Sequence, residues 1–177
     1  MHIKKLIWNG HPEKFLGIAE LYCKIWEEPP WNEDFWTVEK VMEDMQKELR
    51  KPNAVLLSAA RDEIVVGFTW GYETTIVDLH KISEISVSRW RDIIGNKRSS
   101  YIDELAVAKS SRGQGIGHKL TERLIASLSN AGVDYITLRT DTMAKSARSV
   151  YQQAGFLELD LIDTKYPNRT YWLKTLV

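Results

Sequence analysis

Three glycines at alternate positions constrain the fold of this 177-residue chain more than any other feature. Gly113, Gly115 and Gly117 lie between a strand-like segment at 101–108 and a segment with helical periodicity at 115–130. Because glycine adopts positive φ and has no Cβ, successive backbone N–H groups in such a loop can converge on an anion. The free N–H groups and the positive dipole end of the following helix favour the same ligand. The loop therefore predicts a site for a phosphate-bearing ligand, with a glycine-rich surface turn as the alternative.

The two best-known nucleotide-binding loops match this segment poorly. A P-loop has Lys-Ser/Thr directly after its last glycine, and Gly117 is followed by His118 and Lys119. A Rossmann loop, Gly-x-Gly-x-x-Gly, would need a third glycine where His118 stands. It also expects an acid about 20 residues further on, whereas Asp141, at the end of the next predicted strand, lies 28 positions after Gly113. A nucleotide-dependent oxidoreductase is therefore the weakest of the functional hypotheses.

Strand-like and helix-like segments alternate along the chain without an internal repeat or a low-complexity linker. Two strand-like runs around the polar turn 61–63 predict an antiparallel hairpin. Apolar residues at helical spacing, bounded by prolines, predict two helices before it. The expected strands are 2–8, 54–60, 64–72, 101–108, 134–140, 156–163 and 169–176, and the expected helices are 12–28, 33–50, 76–94, 115–130 and 144–154. We expect one α/β domain over residues 1–177, with a mixed sheet flanked by helices.

Composition argues against several classes of function. Lysine plus arginine equals aspartate plus glutamate at 24 each, so the chain lacks the net positive charge that attracts nucleic acid or an anionic membrane. Cys23 is the single cysteine and the four histidines are scattered, so neither an internal disulfide nor a metal site is expected. No apolar run approaches the roughly 18 residues of a membrane span, and the start of the chain lacks the apolar core of a signal peptide. We expect a soluble cytoplasmic protein.

Two motifs resemble those of the GNAT superfamily of N-acetyltransferases. Residues 112–117, Arg-x-x-Gly-x-Gly, resemble the loop with which that family binds pyrophosphate. Residues 147–156, Ala-x-x-Val-Tyr-x-x-x-Gly-Phe, resemble the family's Ala-x-x-Leu-Tyr-x-x-x-Gly-Phe. The resemblance implies a GNAT-like acyl-CoA N-acyltransferase fold, in which a mixed, mostly antiparallel sheet of about seven strands contains one splayed parallel pair.

The same resemblance implies that acetyl-CoA is the cosubstrate and lies in the wedge between the splayed strands, with no metal. The strand before the loop would hold the thioester carbonyl and the pantetheine arm, and the loop would hold the pyrophosphate. The family often has an asparagine seven residues before its tyrosine; Ala144 stands there, and Ser146 is the expected substitute. The cofactor-binding residues predicted in this way are Leu105, Ala106, Val107, Arg112, Gly113, Gln114, Gly115, Ile116, Gly117, Ser146 and Tyr151.

Catalytic roles also follow from the resemblance. Tyr151 matches the family tyrosine near the thioester sulfur, where a phenol can protonate the departing thiolate; a core aromatic is the alternative. A carboxylate beside the wedge would take a proton from the acceptor amine, and Asp103 and Glu104 are the candidates. Because strand residues alternate, Asp103 is expected to share a face with Leu105 and Val107 unless a bulge intervenes, as is usual in the family. Asp103 is preferred, since it also matches an aspartate of aminoglycoside 6′-acetyltransferases.

The junction between the first two predicted helices is expected to border the acceptor site. Its acidic and tryptophan side chains suit a cationic amine through charge pairing and cation–π contact, although helix packing explains them as well. The residues expected to contact the acceptor are Glu27, Glu28 and Trp31, with Trp70 and Tyr72 from the hairpin. The helix-like stretch at 76–94 has three open roles: it caps this site, pairs with a second subunit in a homodimer, or packs on the sheet.

We therefore expect an acetyl-CoA-dependent N-acetyltransferase that moves the acetyl group to a primary amine by direct attack on the thioester. A small cationic amine is the expected acceptor, and nucleic acid and membranes are not expected as partners. One alternative is a module of the same fold that binds CoA without turnover; Tyr151 and the strand carboxylates argue against it. The other is an acetyltransferase that acts on protein N-termini or lysines.

Overall fold

In the computed structural model, which describes residues 1–176, seven strands form one mixed sheet. The strands are β1 (His2–Leu6), β2 (Val55–Arg61), β3 (Ile64–Thr74), β4 (Ser99–Val107), β5 (Tyr135–Asp141), β6 (Leu157–Glu158) and β7 (Arg169–Thr175). Their order across the sheet is β1-β2-β3-β4-β5-β7-β6, and every neighbouring pair is antiparallel except β4 and β5. The predicted mixed sheet with one parallel pair is confirmed.

Six α-helices connect these strands within the described residues. They are α1 (Leu16–Trp26), α2 (Val38–Glu48), α3 (Ile76–Ser83), α4 (Val87–Ile94), α5 (Ile116–Ser129) and α6 (Lys145–Gln153). The helix predicted over 33–50 begins only at Val38, because the Thr37 side chain caps it by accepting a hydrogen bond from the Lys40 amide (3.3 Å). The strand predicted over 156–163 is wrong beyond Glu158, since only Leu157 and Glu158 pair with β7.

The helices cover both faces of the sheet and enclose two apolar cores. We call the face covered by α1 to α4 the front face and the face covered by α5 and α6 the back face. Aromatic side chains, three of them on β3, dominate the front core, and branched aliphatic side chains dominate the back core. Buried members of the front core include Phe15, Tyr22, Trp26, Met45, Phe68, Trp70, Tyr72, Trp90, Tyr101 and Tyr171, and those of the back core include Val66, Ile102, Leu120, Leu124, Ile136, Leu138, Tyr151 and Trp172.

Strands β4 and β5 separate about halfway along β4. They pair in parallel from Ser99 opposite Tyr135 to Ile102 opposite Leu138, and the pairing ends there. Beyond that point β4 continues to Val107 and remains paired with β3 alone. The sheet therefore opens into a wedge between the second halves of the two parallel strands, as the resemblance implied.

A β-bulge lies in β4 at the point where the wedge begins. Trp70 pairs with Glu104 and Gly71 pairs with Ile102, so Asp103 has no partner of its own on β3. The bulge brings the two backbones very close, because a Cβ built on Gly71 would lie 2.5 Å from the Tyr101 carbonyl oxygen. Position 71 therefore requires glycine.

The segment predicted as one helix over 76–94 is two helices that pack on the front face. Helix α3 ends where Glu84 adopts the left-handed conformation (φ 58°), and the Ser86 side chain caps α4. Trp90 Nε1 donates to Ser83 Oγ (3.0 Å), and Tyr171 Oη of β7, which donates to Asp163 Oδ2 (2.6 Å), lies 3.4 Å from the Ser83 carbonyl. Of the roles left open for this segment, packing on the sheet is the one the structure shows. Within residues 1–176, the helices all fall short of the length and apolarity needed to cross a membrane.

Replacing Gly71 with alanine tests the bulge. Gly71→Ala should destabilise the protein by about 1–3 kcal/mol, because the new methyl group overlaps the backbone of β4. Gly117→Ala is the matched control: its Cβ would lie 3.7 Å from Val107 and Val150, an ordinary contact, within a helix. Thermal unfolding should show a lower Tm for the first variant only. Equal Tm values for both variants and the parent would contradict the close approach.

Candidate active site

The loop between β4 and α5 is open on its outer side. Lys109–Ser111 forms a 3₁₀ turn, and Gly113 (φ 74°) and Gly115 (φ 73°) both adopt the left-handed conformation. Within the described chain, no heavy atom lies within 4 Å of a Cβ built on either glycine. After the 3₁₀ turn and its cap, the first backbone amide that donates is that of Lys119, to the Gly115 carbonyl (3.1 Å). The amides of residues 113–118 are therefore available to an anion.

Two arginines and a glutamate border this loop. Arg112 Nε donates to the Val107 carbonyl (3.0 Å), and its Nη1 lies 2.9 Å from Glu28 Oε2. Arg61 Nη2 donates to Gln114 Oε1 (2.8 Å). The structure thus places Glu28, which was predicted to contact the acceptor, against the phosphate loop. A phosphate bound at the free amides would compete with Glu28 for Arg112.

Partial exposure along β4 marks the floor of the wedge. Ser99–Ile102 are buried, as is Ala106, whereas Asp103, Glu104 and Leu105 keep some contact with solvent. Beyond the last pair with β5, the backbone edge of β4 that faces the wedge has no strand partner. Unpaired N–H and C=O groups of such an edge can bind the amide groups of an extended ligand. The wedge therefore offers a hydrogen-bonding slot of strand-like geometry.

Tyr151 lies on the back face of the wedge. Its ring is buried, edge-on to Phe156 with centroids 6.0 Å apart, and is held by α6. Burial, followed by the charge of Glu104, raises the pKa of Tyr151 above its ordinary value. The phenol of Tyr151 therefore stays protonated, and its ionisation is coupled to the charge of Glu104. Ser146, predicted to replace the family asparagine, is exposed on the first turn of α6, and Ala144 precedes that helix.

The two adjacent carboxylates of β4 point to the same face. Tyr72 Oη donates to Asp103 Oδ2 (3.0 Å) and Tyr22 Oη donates to Glu104 Oε1 (3.1 Å), and both phenols belong to the front core. Leu105 packs against the back core instead. The exception to strand alternation that was allowed for above, a bulge, is therefore present, and Asp103 does not share a face with Leu105. The bulge inserts one residue and turns both carboxylates toward α1 and α2.

Glu48, at the end of α2, completes an acidic cluster that sequence reasoning missed. Its carboxylate accepts hydrogen bonds from Trp70 Nε1 (3.0 Å) and Lys51 Nζ (2.9 Å), and the Tyr72 hydroxyl that donates to Asp103 also lies 3.3 Å from Glu48 Oε1. A signal for it existed in the chain, since Glu48 stands three and seven residues after Met45 and Val41 on the apolar stripe of its helix. A charged residue on such a stripe needs a buried partner.

Burial and mutual repulsion set the protonation of this cluster. Burial, followed by the hydrogen bond and charge of Glu48, raises the pKa of Asp103 well above its ordinary value. Burial opposes ionisation of Glu48 as well, but its hydrogen-bond donors lower the pKa of this residue below the ordinary value. Glu48 and Asp103 thus share one proton. Burial, followed by the charge of Asp103, raises the pKa of Glu104 well above its usual range.

The residues predicted to contact the acceptor are spread over two places. Trp70 and Tyr72 are buried in the front core and both contact the acidic cluster. Trp31 stacks on the ring of Trp26, with centroids 6.1 Å apart, and Glu27 is exposed at the end of α1. The hairpin residues therefore adjoin the carboxylates, whereas the residues of the α1–α2 connection lie toward the rim and the phosphate loop.

Comparison with known proteins agrees with this geometry. The family model described as "Acetyltransferase (GNAT) family" matches residues 16–156. N-alpha-acetyltransferase 30 of Schizosaccharomyces pombe is 36% identical to the chain over 76 residues, which are 43% of this chain and 51% of that protein. The chain thus matches about half the length of this curated relative.

Solved structures share the whole fold. A chain of the NatC complex bound to Gag peptide and CoA superposes with a TM-score of 0.66 at 17% identity, and the match covers 100% of each chain. Aminoglycoside 6′-acetyltransferase type Ii superposes with a TM-score of 0.68 at 17% identity over 100% of this chain and 98% of that one. At such identities the likeness shows the fold alone.

The contribution of the Arg112 charge to the predicted phosphate site can be tested by measuring CoA binding. Arg112→Ala should weaken the affinity for CoA by about tenfold, because a charge-assisted bond to the pyrophosphate is lost. Arg50→Ala, on an exposed residue beyond α2, is the control and should bind CoA as the parent does. Isothermal titration calorimetry at two salt concentrations measures both. An unchanged dissociation constant for Arg112→Ala would remove this side chain from the phosphate site.

Proposed function

The chain belongs to the acetyltransferase (GNAT) family, and we propose that it transfers the acetyl group of acetyl-CoA to the primary amine of a small cationic acceptor. The observation that carries the proposal is the wedge between β4 and β5. One end of it adjoins the free amides of residues 113–118, and at the other end β4 carries Glu104, whose charge raises the pKa of Tyr151. Diphosphate, thioester and proton acceptor sites thus follow one another along a single slot.

Acetyl-CoA would lie along β4 with its diphosphate on the amides of 113–118 and Arg112 beside it. The pantetheine arm would bond to the unpaired edge of Leu105–Val107, which places the thioester near the bulge. When bound, the cofactor supplies the activated acetyl group, and the chain supplies orientation and proton transfer.

Glu104 is the proton acceptor in this proposal. The acceptor arrives as an ammonium and must lose a proton before its nitrogen can attack the thioester carbon. Glu104 fits this role better than Asp103, the candidate preferred from sequence, because Asp103 shares a proton with Glu48 and is less available. The charge of Glu104 also raises the pKa of Tyr151, the proposed proton donor.

Tyr151 is the proton donor. Attack of the neutral amine forms the new N–C bond, and collapse of the tetrahedral adduct breaks the C–S bond and releases the CoA thiolate. The protonated phenol of Tyr151 gives its proton to that thiolate, and the second proton of the amine nitrogen returns the phenol to its starting state. Amide, free thiol and one proton held by Glu104 are the products.

The front face suits an acceptor with one positive charge. Three carboxyl groups, those of Glu48, Asp103 and Glu104, lie on this face with the guanidinium of Arg139 beside them. An ammonium that approaches Glu104 meets carboxyl oxygens, whereas a second positive charge would meet Arg139. The stacked rings of the front core, among them Tyr22 on Trp26 with centroids 4.0 Å apart, add cation-binding surface.

The α-amino group of a protein N-terminus is the second candidate acceptor, favoured by the similarity to N-alpha-acetyltransferase 30. A panel of small diamines, aminoglycosides, amino acid amides and peptides with free N-termini, monitored by CoA release, separates the two. Preferential turnover of small amines supports the first candidate, and turnover of peptides alone supports the second. CoA binding without turnover on any amine would contradict the transferase proposal.

The role of Tyr151 predicts a selective loss of turnover. Tyr151→Phe should lower kcat by about ten- to a thousand-fold, because the leaving thiolate loses its proton donor. The dissociation constant for acetyl-CoA should not change, since the ring remains in place. Tyr166→Phe, on an exposed tyrosine, serves as the control. An unchanged kcat for Tyr151→Phe would exclude the phenol from the mechanism.

The role of Glu104 predicts a distinctive pH dependence. Its raised pKa means that kcat/KM should rise with pH through a midpoint above the ordinary carboxyl value of about 4.3. Glu104→Gln should flatten this acidic limb and lower kcat/KM by about a hundredfold. Asp103→Asn should keep the limb but shift it to lower pH, because the charge of Asp103 raises the pKa of Glu104. The opposite pattern, with a flat limb in Asp103→Asn alone, would make Asp103 the base.

A further inference from the structure

The hydroxyl of Tyr101 is buried beside the acidic cluster and has no hydrogen-bond partner within the described residues. Tyr101 is 2% exposed, and its ring lies in the front core with its centroid 6.1 Å from that of Tyr72. Burial, followed by the influence of Arg139, Asp103 and Glu104, sets its pKa, which is raised well above the ordinary value. Its hydroxyl therefore keeps its proton. A buried hydroxyl without a partner is unfavourable, which makes it a marker for a missing ligand group.

Arg139 stands at the mouth of the wedge on the same face. The register that pairs Ile102 with Leu138 places Arg139 opposite Asp103, one step beyond the last β4–β5 pair. Among the described residues, the guanidinium makes one hydrogen bond, from Nη1 to the Ile82 carbonyl of α3 (2.6 Å). A guanidinium has five N–H donors. Most of its donor capacity is therefore left without a partner among the described residues.

Tyr101 and Arg139 both present hydrogen-bond donors. Arg139 can only donate, and the Tyr101 phenol donates its single proton, so together they recognise an oxygen acceptor rather than a second ammonium. The charge of Arg139 would also repel a second cation. The neighbouring carboxylates Asp103 and Glu104 attract the reacting ammonium. A ligand that satisfies both sets carries an amine and a carbonyl oxygen a short distance apart.

We propose that Tyr101 and Arg139 form an oxygen-binding subsite that holds the carbonyl adjacent to the reacting amine, so that the preferred acceptors are α-amino carbonyl compounds. This inference rests on the proposed function, because it assumes that the amine reacts at Glu104. It narrows the acceptor from any small ammonium to amino acid derivatives and peptide N-termini, which share the α-amino carbonyl unit. Tyr101 and Arg139 then select the substrate without taking part in proton transfer.

The test compares glycinamide with propylamine, a primary amine of similar size that lacks the carbonyl group. The ratio of their kcat/KM values is measured for the wild type, Tyr101→Phe and Arg139→Lys. Because each substrate has the same intrinsic reactivity in every variant, changes in the ratio report the subsite alone. Tyr135→Phe, which removes a hydroxyl at the far end of the β4–β5 pairing, is the matched control.

Tyr101→Phe and Arg139→Lys should each lower the ratio of kcat/KM for glycinamide to kcat/KM for propylamine by about tenfold, with CoA affinity unchanged. Tyr101→Phe should also raise Tm slightly, because it removes an unpaired buried hydroxyl. Tyr135→Phe should leave the ratio at the wild-type value. A ratio unchanged in both site variants would overturn the subsite and leave Tyr101 a core residue only.

Direct binding separates this inference from the proposed function. Calorimetric titration of glycinamide and propylamine into the enzyme–CoA complex measures selection without turnover. Glycinamide binding that weakens in Tyr101→Phe supports the subsite even if no amine is acetylated, a result that would count against the transferase proposal. Equal binding of the two amines would overturn the subsite even if both are acetylated. Tetra-alanine, tested beside glycinamide, shows whether the α-amino carbonyl unit is taken from a peptide or from a small molecule.

Discussion

The loss of hydrogen bonding between β4 and β5 after Ile102 and Leu138 is the feature on which the rest of the site depends. A parallel pair that continued to Val107 would fill the slot with its own ladder and leave no edge for a ligand. Because the strands separate, the backbone of Leu105–Val107 is free on one side and the loop that follows β4 lies at the end of the opening. The same separation lets groups from both faces of the sheet approach one another.

The bulge at Asp103 converts this opening into a chemically asymmetric site. It turns Asp103 and Glu104 together toward the front face, where phenols of the aromatic core donate to them. The phenol of Tyr151 remains on the back face with its proton retained. The carboxylates of Asp103 and Glu104 thus lie on one face of the sheet and the phenol of Tyr151 lies on the other. The wedge is the opening in the sheet between the two faces. Such a division matches a reaction that removes a proton from an incoming group and delivers one to a leaving group.

Local features of the fold could be predicted from the chain, and features that depend on distant contacts could not. The glycine loop and the element order follow from residues close in sequence, and the structure confirms them. The direction of Glu104 depends on the close approach of Gly71 to β4, which alternation does not reveal. Glu48 was missed because its role requires α2 to lie over Tyr72, 24 residues away. The strand predicted after Phe156 is short because its bonding to β7 ends with the Leu159 amide, which donates to the Tyr171 carbonyl (2.8 Å).

The most direct test of the central claim is amide hydrogen exchange, measured residue by residue by NMR with and without CoA. The account predicts that CoA slows exchange of the amides of residues 113–118 and of the wedge-facing amides of Leu105–Val107, because the diphosphate and the pantetheine arm bond to them. Exchange in α3 and α4 should stay as it is in the free protein. CoA binding that leaves the amides of 113–118 unprotected would contradict the account, since the cofactor would then lie outside the wedge.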